Sequence, residues 1–148
     1  MLSGDAPARR YFPSTGEEMT DTVLLVEDDE EIGKTIPGLL REAGYKVEVH
    51  RCSLDTLVVF FSTPSRFDLV IVDEDMRDLS GSDLARKLLH LRPDLPVILL
   101  FGSRAKGEGP KSETTGISRS LSKPVADALL LEAVRDGLRA TRLRRGRR

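Results

Sequence analysis

Five charged residues stand where strand-like runs stop: Glu27 and Asp28 after the apolar Val23–Val26, Asp73 and Asp75 after the apolar Leu69–Val72, and Lys123 after a plausible edge strand, Ile117–Leu121. Carboxylates brought close together repel and desolvate one another, a conflict that a cation relieves. A donor set made only of oxygen, with no cysteine or histidine nearby, favours a hard ion such as Mg²⁺. A lysine facing such a cluster has a compact charge suited to a phosphoryl oxygen. Carboxylate nucleophile, metal and lysine together describe a phosphoaspartate site, in which Asp73 attacks phosphorus and the cations neutralise the transferred oxygens. The plainer reading is that Asp28 and Asp29 cap a helix and residues 73–78 form an acidic loop. Acids after two separate apolar strands, with a lysine after a fifth strand, favour the site.

The elements that must carry these residues follow from periodicity. Val23–Val26, Val47 with Val49, Leu69–Val72, Val97–Phe101 and Ile117–Leu121 read as strands. Between them come helical stripes. Asp29 or Glu30 opens the first, with Ile32, Ile36, Leu39 and Leu40 inward and a kink expected at Pro37. Ser53 caps the second, with Leu54, Leu57, Val58 and Phe61 inward. Ser80 or Ser82 precedes the third, on Leu84, Leu88 and Leu91. Pro124 starts the last, on Leu129, Leu130, Ala133, Val134 and Leu138. From Gly102 to Gly116 the pattern fades, and Gly107, Gly109 and Pro110 weaken any helix there. Strand and helix alternate five times, and near-continuous apolar strands need cover on both faces. The fold class is therefore α/β, a doubly wound five-stranded parallel sheet with its crevice beyond the carboxyl ends of the strands.

The totals agree. The chain has 148 residues, 39% hydrophobic and 32% charged, which suits one domain. No stretch is apolar enough to cross a bilayer and no leader is evident, so a cytoplasmic location is expected. The single Cys52 forms no intrachain disulfide, and with two histidines a structural zinc site is not expected. Net charge is −1, which gives no general attraction to nucleic acid. Seven arginines crowd the last fourteen residues and read as a solvated helix end. Residues 1–21 read as a tail or linker, 22–143 as the domain, and 144–148 as a basic tail, with no room beyond for a DNA-binding output domain.

From Thr22 to about Leu143 the chain resembles the receiver (phosphoacceptor) domain of two-component response regulators. The resemblance rests on VLLVEDDE, on FDLVIVDEDM with Gly81 eight residues past Asp73, on LRPDLPVILL and on SKP. It implies the flavodoxin-like strand order 2-1-3-4-5, with Glu27 and Asp28 as the acidic metal pair for Mg²⁺. Asp73 is then the phosphorylated residue, the backbone carbonyl of Asp75 a further metal ligand, and Lys123 the phosphate contact. The implied partner is a histidine kinase or a histidine phosphotransfer protein. RRYFP, a short polar link and then VLLVEDDE are similar to the junction between a histidine kinase and its C-terminal receiver, so a hybrid kinase is one context.

Three positions depart from the family pattern. Phe101 stands where a Thr or Ser usually offers its hydroxyl, and Ser120 where a Phe or Tyr usually turns inward. Arg77 replaces the usual proline after Met76. The first two suggest an exchange, with Phe101 filling the volume that Ser120 leaves, and Ser103 is a substitute hydroxyl donor. Receivers commonly dimerise around strand five and its flanking helices, the part altered most here. A homodimer is compatible with the resemblance, but that face is not carried over. Two other classes compete: a pseudo-receiver that binds a partner without phosphorylation, and a small Mg²⁺–aspartate phosphatase using Asp75 as general acid–base.

Overall fold

In the computed structural model of the protein, residues 20–102 and 116–146 are described. The expected apolar runs become strands: β1 (Thr22–Val26), β2 (Lys46–His50), β3 (Leu69–Asp73), β4 (Val97–Phe101) and β5 (Arg119–Ser122). They form one parallel sheet in the order β2-β1-β3-β4-β5. This is the flavodoxin-like order, and the chain reverses its direction of travel at β1. Between the strands lie α1 (Ile32–Glu42), α2 (Ser53–Ser62), α3 (Gly81–Leu91) and, after β5, α4 (Asp127–Gly146).

Alternation along each strand divides the core into two layers. Val23, Leu25, Leu69, Ile71, Ile98, Leu100 and Leu121 meet Ile36 and Leu40 of α1 and Leu130, Ala133, Val134 and Leu138 of α4. Leu24, Val26, Val70, Val72, Val97 and Leu99 meet Phe60 of α2 and Leu84, Ala85 and Leu88 of α3. All five residues of β3 are buried, as a central strand covered on both faces requires.

The helix details revise several expectations. α1 begins at Ile32, because Asp29 Oδ1 accepts the backbone N–H groups of Glu31 and Ile32 and forms the turn ahead of it. It remains one helix through Pro37, whose ring is buried in the core layer although it leaves the Gly33 carbonyl without a helical donor. Just past the C-cap Ala43, Gly44 turns the chain away from α1 with a φ of 103° that suits a residue without a side chain.

α2 is rotated from the expected phase. Leu54, Val58 and Phe61 are 52%, 64% and 68% exposed, while Ser53, Thr56 and Phe60 face the core. Polar anchors fix that phase. Asp78 accepts the N–H groups of Ser53 and Leu54, Ser53 Oγ donates to the Leu79 carbonyl, and Thr56 Oγ1 lies 3.0 Å from His50 Nδ1. Cys52, not Ser53, holds the N-cap position, and the cap itself comes from Asp78 in a distant loop.

The C-terminal third also shifts. β5 is Arg119–Ser122 instead of 117–121, and α4 starts at Asp127, three residues beyond Pro124, which follows a cis bond from Lys123. Leu129, assigned inward, is 40% exposed. The basic end of the chain is helical through Gly146. Thr141 is buried and donates to the Asp94 carbonyl, and Arg142 pairs with Asp21. Residues 144–146 thus belong to α4, whereas the expected tail began at 144.

Candidate functional site

The backbone ladder runs one residue past three strand ends and holds the chemistry-bearing residues by their main chain. Glu27 N–H donates to His50 at 2.9 Å, Glu74 N–H to Leu100 at 2.7 Å, and Lys123 N–H to Phe101 at 2.8 Å. Asp73, the last residue of β3, is in register with Leu100. Glu27, Asp28, Asp73 and Lys123 therefore share one rim of the sheet, beside the strand where its order reverses.

Side chains of Glu27, Asp28 and Asp73 place carboxylate oxygens within 4.8 Å of one another. Glu27 and Asp73 are buried and Asp28 is half-buried. Lys123 Nζ donates to Asp73 Oδ2 at 2.9 Å, while Asp73 Oδ1 accepts the N–H of Asp75 at 3.1 Å. Burial pushes the Glu27 carboxyl up to about 8, reinforced by the neighbouring Asp73 carboxylate and its charge. Burial alone would lower the Lys123 ammonium, but the bond to Asp73 and the charges of Asp73, Glu27 and Asp75 outweigh it and raise it. Glu27 Oε2 accepts the Asp29 N–H at 3.2 Å, whereas Oε1 is buried with no hydrogen-bond partner. An orphaned carboxylate oxygen beside two further carboxylates fits a hard divalent cation.

Asp75 is exposed, and its backbone N–H donates to Asp73 Oδ1. Arg77 reaches back to Asp28, its Nε 3.6 Å from Oδ2, and is 88% exposed. Phe101 is half-buried at the end of β4, where it pairs in register with Ser122. Ser120 is exposed and pairs with Leu99, so Phe101 lies diagonal to it, not opposite. Among the described residues, Phe101 packs into neither apolar layer. Ser103 lies outside the described residues.

Sequence reasoning missed the supports of the loop after Asp73. Glu74, read as one more acid of the run, accepts both the N–H and the hydroxyl of Ser82, at 2.8 and 2.6 Å. Ser80, one of the two serines expected ahead of this helix, caps α3 by accepting the Asp83 N–H. Gly81 sits so close that a Cβ there would stand 2.5 Å from the Asp73 carbonyl oxygen. The spacing from Asp73 to Gly81 was the visible trace of that contact. A cleft of about 560 Å³ opens beside the pocket, walled by Ile32, Ile36 and Leu39 of α1 and by Pro124, Val125 and Leu130. Lys123 and Asp75 stand on its wall.

Residues 23–135 match the family described as response regulator receiver domain. Among curated proteins, the chain is 29% identical over 117 residues to the transcriptional regulatory protein FixJ of Rhizobium meliloti, covering 78% of this chain and 56% of that one. It is 32% identical over 119 residues to CreB of Escherichia coli, covering 80% and 51%. The chain thus spans about half the length of these relatives. A receiver domain protein from Clostridium thermocellum superposes with a TM-score of 0.76 at 28% identity, over 83% of this chain and 98% of that structure. The receiver domain of the hybrid histidine kinase CckA does so at 0.66 and 26%, over 79% and 98%. With the parallel sheet, the order reversal at β1 and the carboxylates gathered at its rim, this chain belongs to the response regulator receiver domain family.

Proposed function

We propose that the domain accepts a phosphoryl group on Asp73 from a phosphohistidine of a histidine kinase or histidine phosphotransfer protein. One observation carries the reading: Asp73 has each carboxylate oxygen assigned, Oδ2 to Lys123 and Oδ1 to the Asp75 N–H, at the edge of a pocket with a vacant Glu27 oxygen. In the transfer an Asp73 oxygen attacks phosphorus, the phosphorus–nitrogen bond breaks, and its electron pair leaves with the imidazole. Lys123 then exchanges its bond to Asp73 for one to a phosphoryl oxygen, as a charge buried on that side requires. Glu27, Asp28, Asp73 and the backbone carbonyl of Asp75 would hold Mg²⁺, which supplies neutralisation of the phosphoryl oxygens. The cleft between α1 and Pro124–Val125 gives the donor room beside Lys123.

The role is signalling, without turnover of small phosphate esters, and its setting is the cytoplasm. Attachment to a hybrid kinase is one arrangement, and the sequence of the adjoining gene tests it. Incubation with acetyl phosphate and Mg²⁺ is expected to add the mass of one phosphoryl group to the wild-type protein and none to Asp73→Asn. No Mg²⁺-dependent adduct would refute the reading.

Phe101 and the exposed Ser120 favour a second reading, a receiver that binds its partner without phosphorylation. Under that reading Asp73→Asn keeps both partner affinity and cellular output.

A further inference from the structure

Among the described residues, two cations reach the carboxylate pocket, and they are held in opposite ways. Lys123 is 20% exposed and donates to Asp73 at 2.9 Å. Arg77 is 88% exposed and stands 3.6 Å from Asp28, beyond hydrogen-bond range. One is part of the floor and the other lies across the mouth.

The backbone around Arg77 is nonetheless tied down. Upstream, Glu74 N–H is bound to Leu100, and its side chain to Ser82. Immediately downstream, Asp78 accepts the N–H groups of Ser53 and Leu54 and the thiol of Cys52, which moors the loop to the start of α2. Arg77 is therefore delivered to the same place by its main chain while its side chain stays in solvent. A second arginine, Arg51, also approaches Asp28 but donates to its backbone carbonyl, at 3.1 Å, and leaves the carboxylate alone.

A carboxylate that neutralises a guanidinium has less charge to offer an incoming divalent cation. We propose that Arg77 is a displaceable counter-ion for Asp28, one that occupies this carboxylate in the metal-free protein and must leave it for the cation to bind. The inference rests on reading Glu27, Asp28 and Asp73 as a divalent-cation pocket. Its consequence is a receiver with a built-in brake on Mg²⁺ affinity, located at the position where the family pattern has an uncharged proline. Exposed ion pairs are weak, so the brake is modest and sensitive to salt.

The test is a Mg²⁺ titration of wild type, Arg77→Ala, Arg77→Lys and Arg51→Ala, followed by the amide resonances of residues 73–75 at low and high ionic strength. Arg77→Ala should bind Mg²⁺ about two- to fivefold more tightly than wild type, the range expected for loss of one exposed pair. Arg77→Lys should fall between the two, Arg51→Ala should change affinity less than Arg77→Ala, and the wild-type to Arg77→Ala gap should shrink at high salt. Equal affinities for wild type and Arg77→Ala, or an equal gain from Arg51→Ala, would remove the brake and leave the pocket standing. A flat titration in every protein would refute the pocket itself, and the brake with it.

Discussion

The carboxyl rim of the sheet has a centre and a flank, and they are built to different standards. At the centre, Glu27 and Asp73 are buried, their backbones are clamped by the ladder, and Gly81 presses against the Asp73 carbonyl. At the flank, Phe101 is only half-buried and packs into neither layer among the described residues, while Ser120 on the edge strand is exposed. The site that would hold the phosphoryl group is rigidly framed. The positions that would report it carry little packing. Rigidity at the acceptor and looseness at the reporter are thus separable in one sheet, because each strand end is held by its own neighbours.

That contrast can be broken from the centre with the largest effect. Gly81→Ala forces a methyl group into the Asp73 backbone and should destabilise the fold by roughly 2–3 kcal/mol in urea unfolding. It should also depress adduct formation. A loss below about 0.5 kcal/mol, the level of an ordinary surface change, would show the centre to be more pliant than its geometry implies.

Glu27 offers a pH test of the same region. Its carboxyl is raised to about 8, so between the ordinary value of 4.5 and about 8 the folded state keeps a proton that the unfolded state releases. Stability of the metal-free protein should therefore fall as pH rises through that window, and Glu27→Gln should flatten the slope. Mg²⁺ affinity should climb over the same window. Thermal unfolding and Mg²⁺ titration across the window read both effects.

A smaller effect is expected at the mooring of the loop. Asp78 is held at about 2: its slight burial works the other way, and the bonds from Cys52, Leu54 and Ser53 outweigh it. A lowered acid stabilises above its unfolded value of 3.8, and that contribution disappears as pH falls through about 2. Because Asp78 is solvent-exposed, Asp78→Ala should remove only about 0.5–1 kcal/mol, with faster amide exchange at Ser53 and Leu54.

The flank should respond least in stability and most in information. Phe101→Thr with Ser120→Tyr should shift stability by less than about 1.5 kcal/mol, since neither native side chain is fully packed. With beryllofluoride bound, amide shifts in wild type should stay near residues 73–81 and 123. In the double variant they should extend along β5. Shifts that already span β5 in wild type would erase the contrast between centre and flank.

The strand ends were legible for a physical reason. A central parallel strand is apolar without interruption, so the first charge after Val26 or Val72 marks where the sheet stops and the crevice begins. Lys123 was readable by another signal, the proline after it. The phase of α2 was not. Leu54, Leu57, Val58, Val59, Phe60 and Phe61 are apolar on nearly every side, so periodicity could not choose a face. The choice was made by Ser53, Thr56 and Asp78, whose hydrogen bonds join residues up to 26 apart in the chain. The docking of residues 141–146 against the domain was hidden similarly. Their arginines suggest solvation, whereas Asp21 and Asp94 tie that turn to the domain.

The pairing of Arg142 with Asp21 joins the last turns of α4 to the threshold of β1. Chain entry and chain exit therefore share one doorway, on the pole of the sheet away from the carboxylates. A five-residue strand separates the two poles by about 17 Å. A module joined before Thr22 or after Gly146 therefore starts from the far pole, and a linker of more than about five extended residues is the length it needs to bring a donor round to the acceptor.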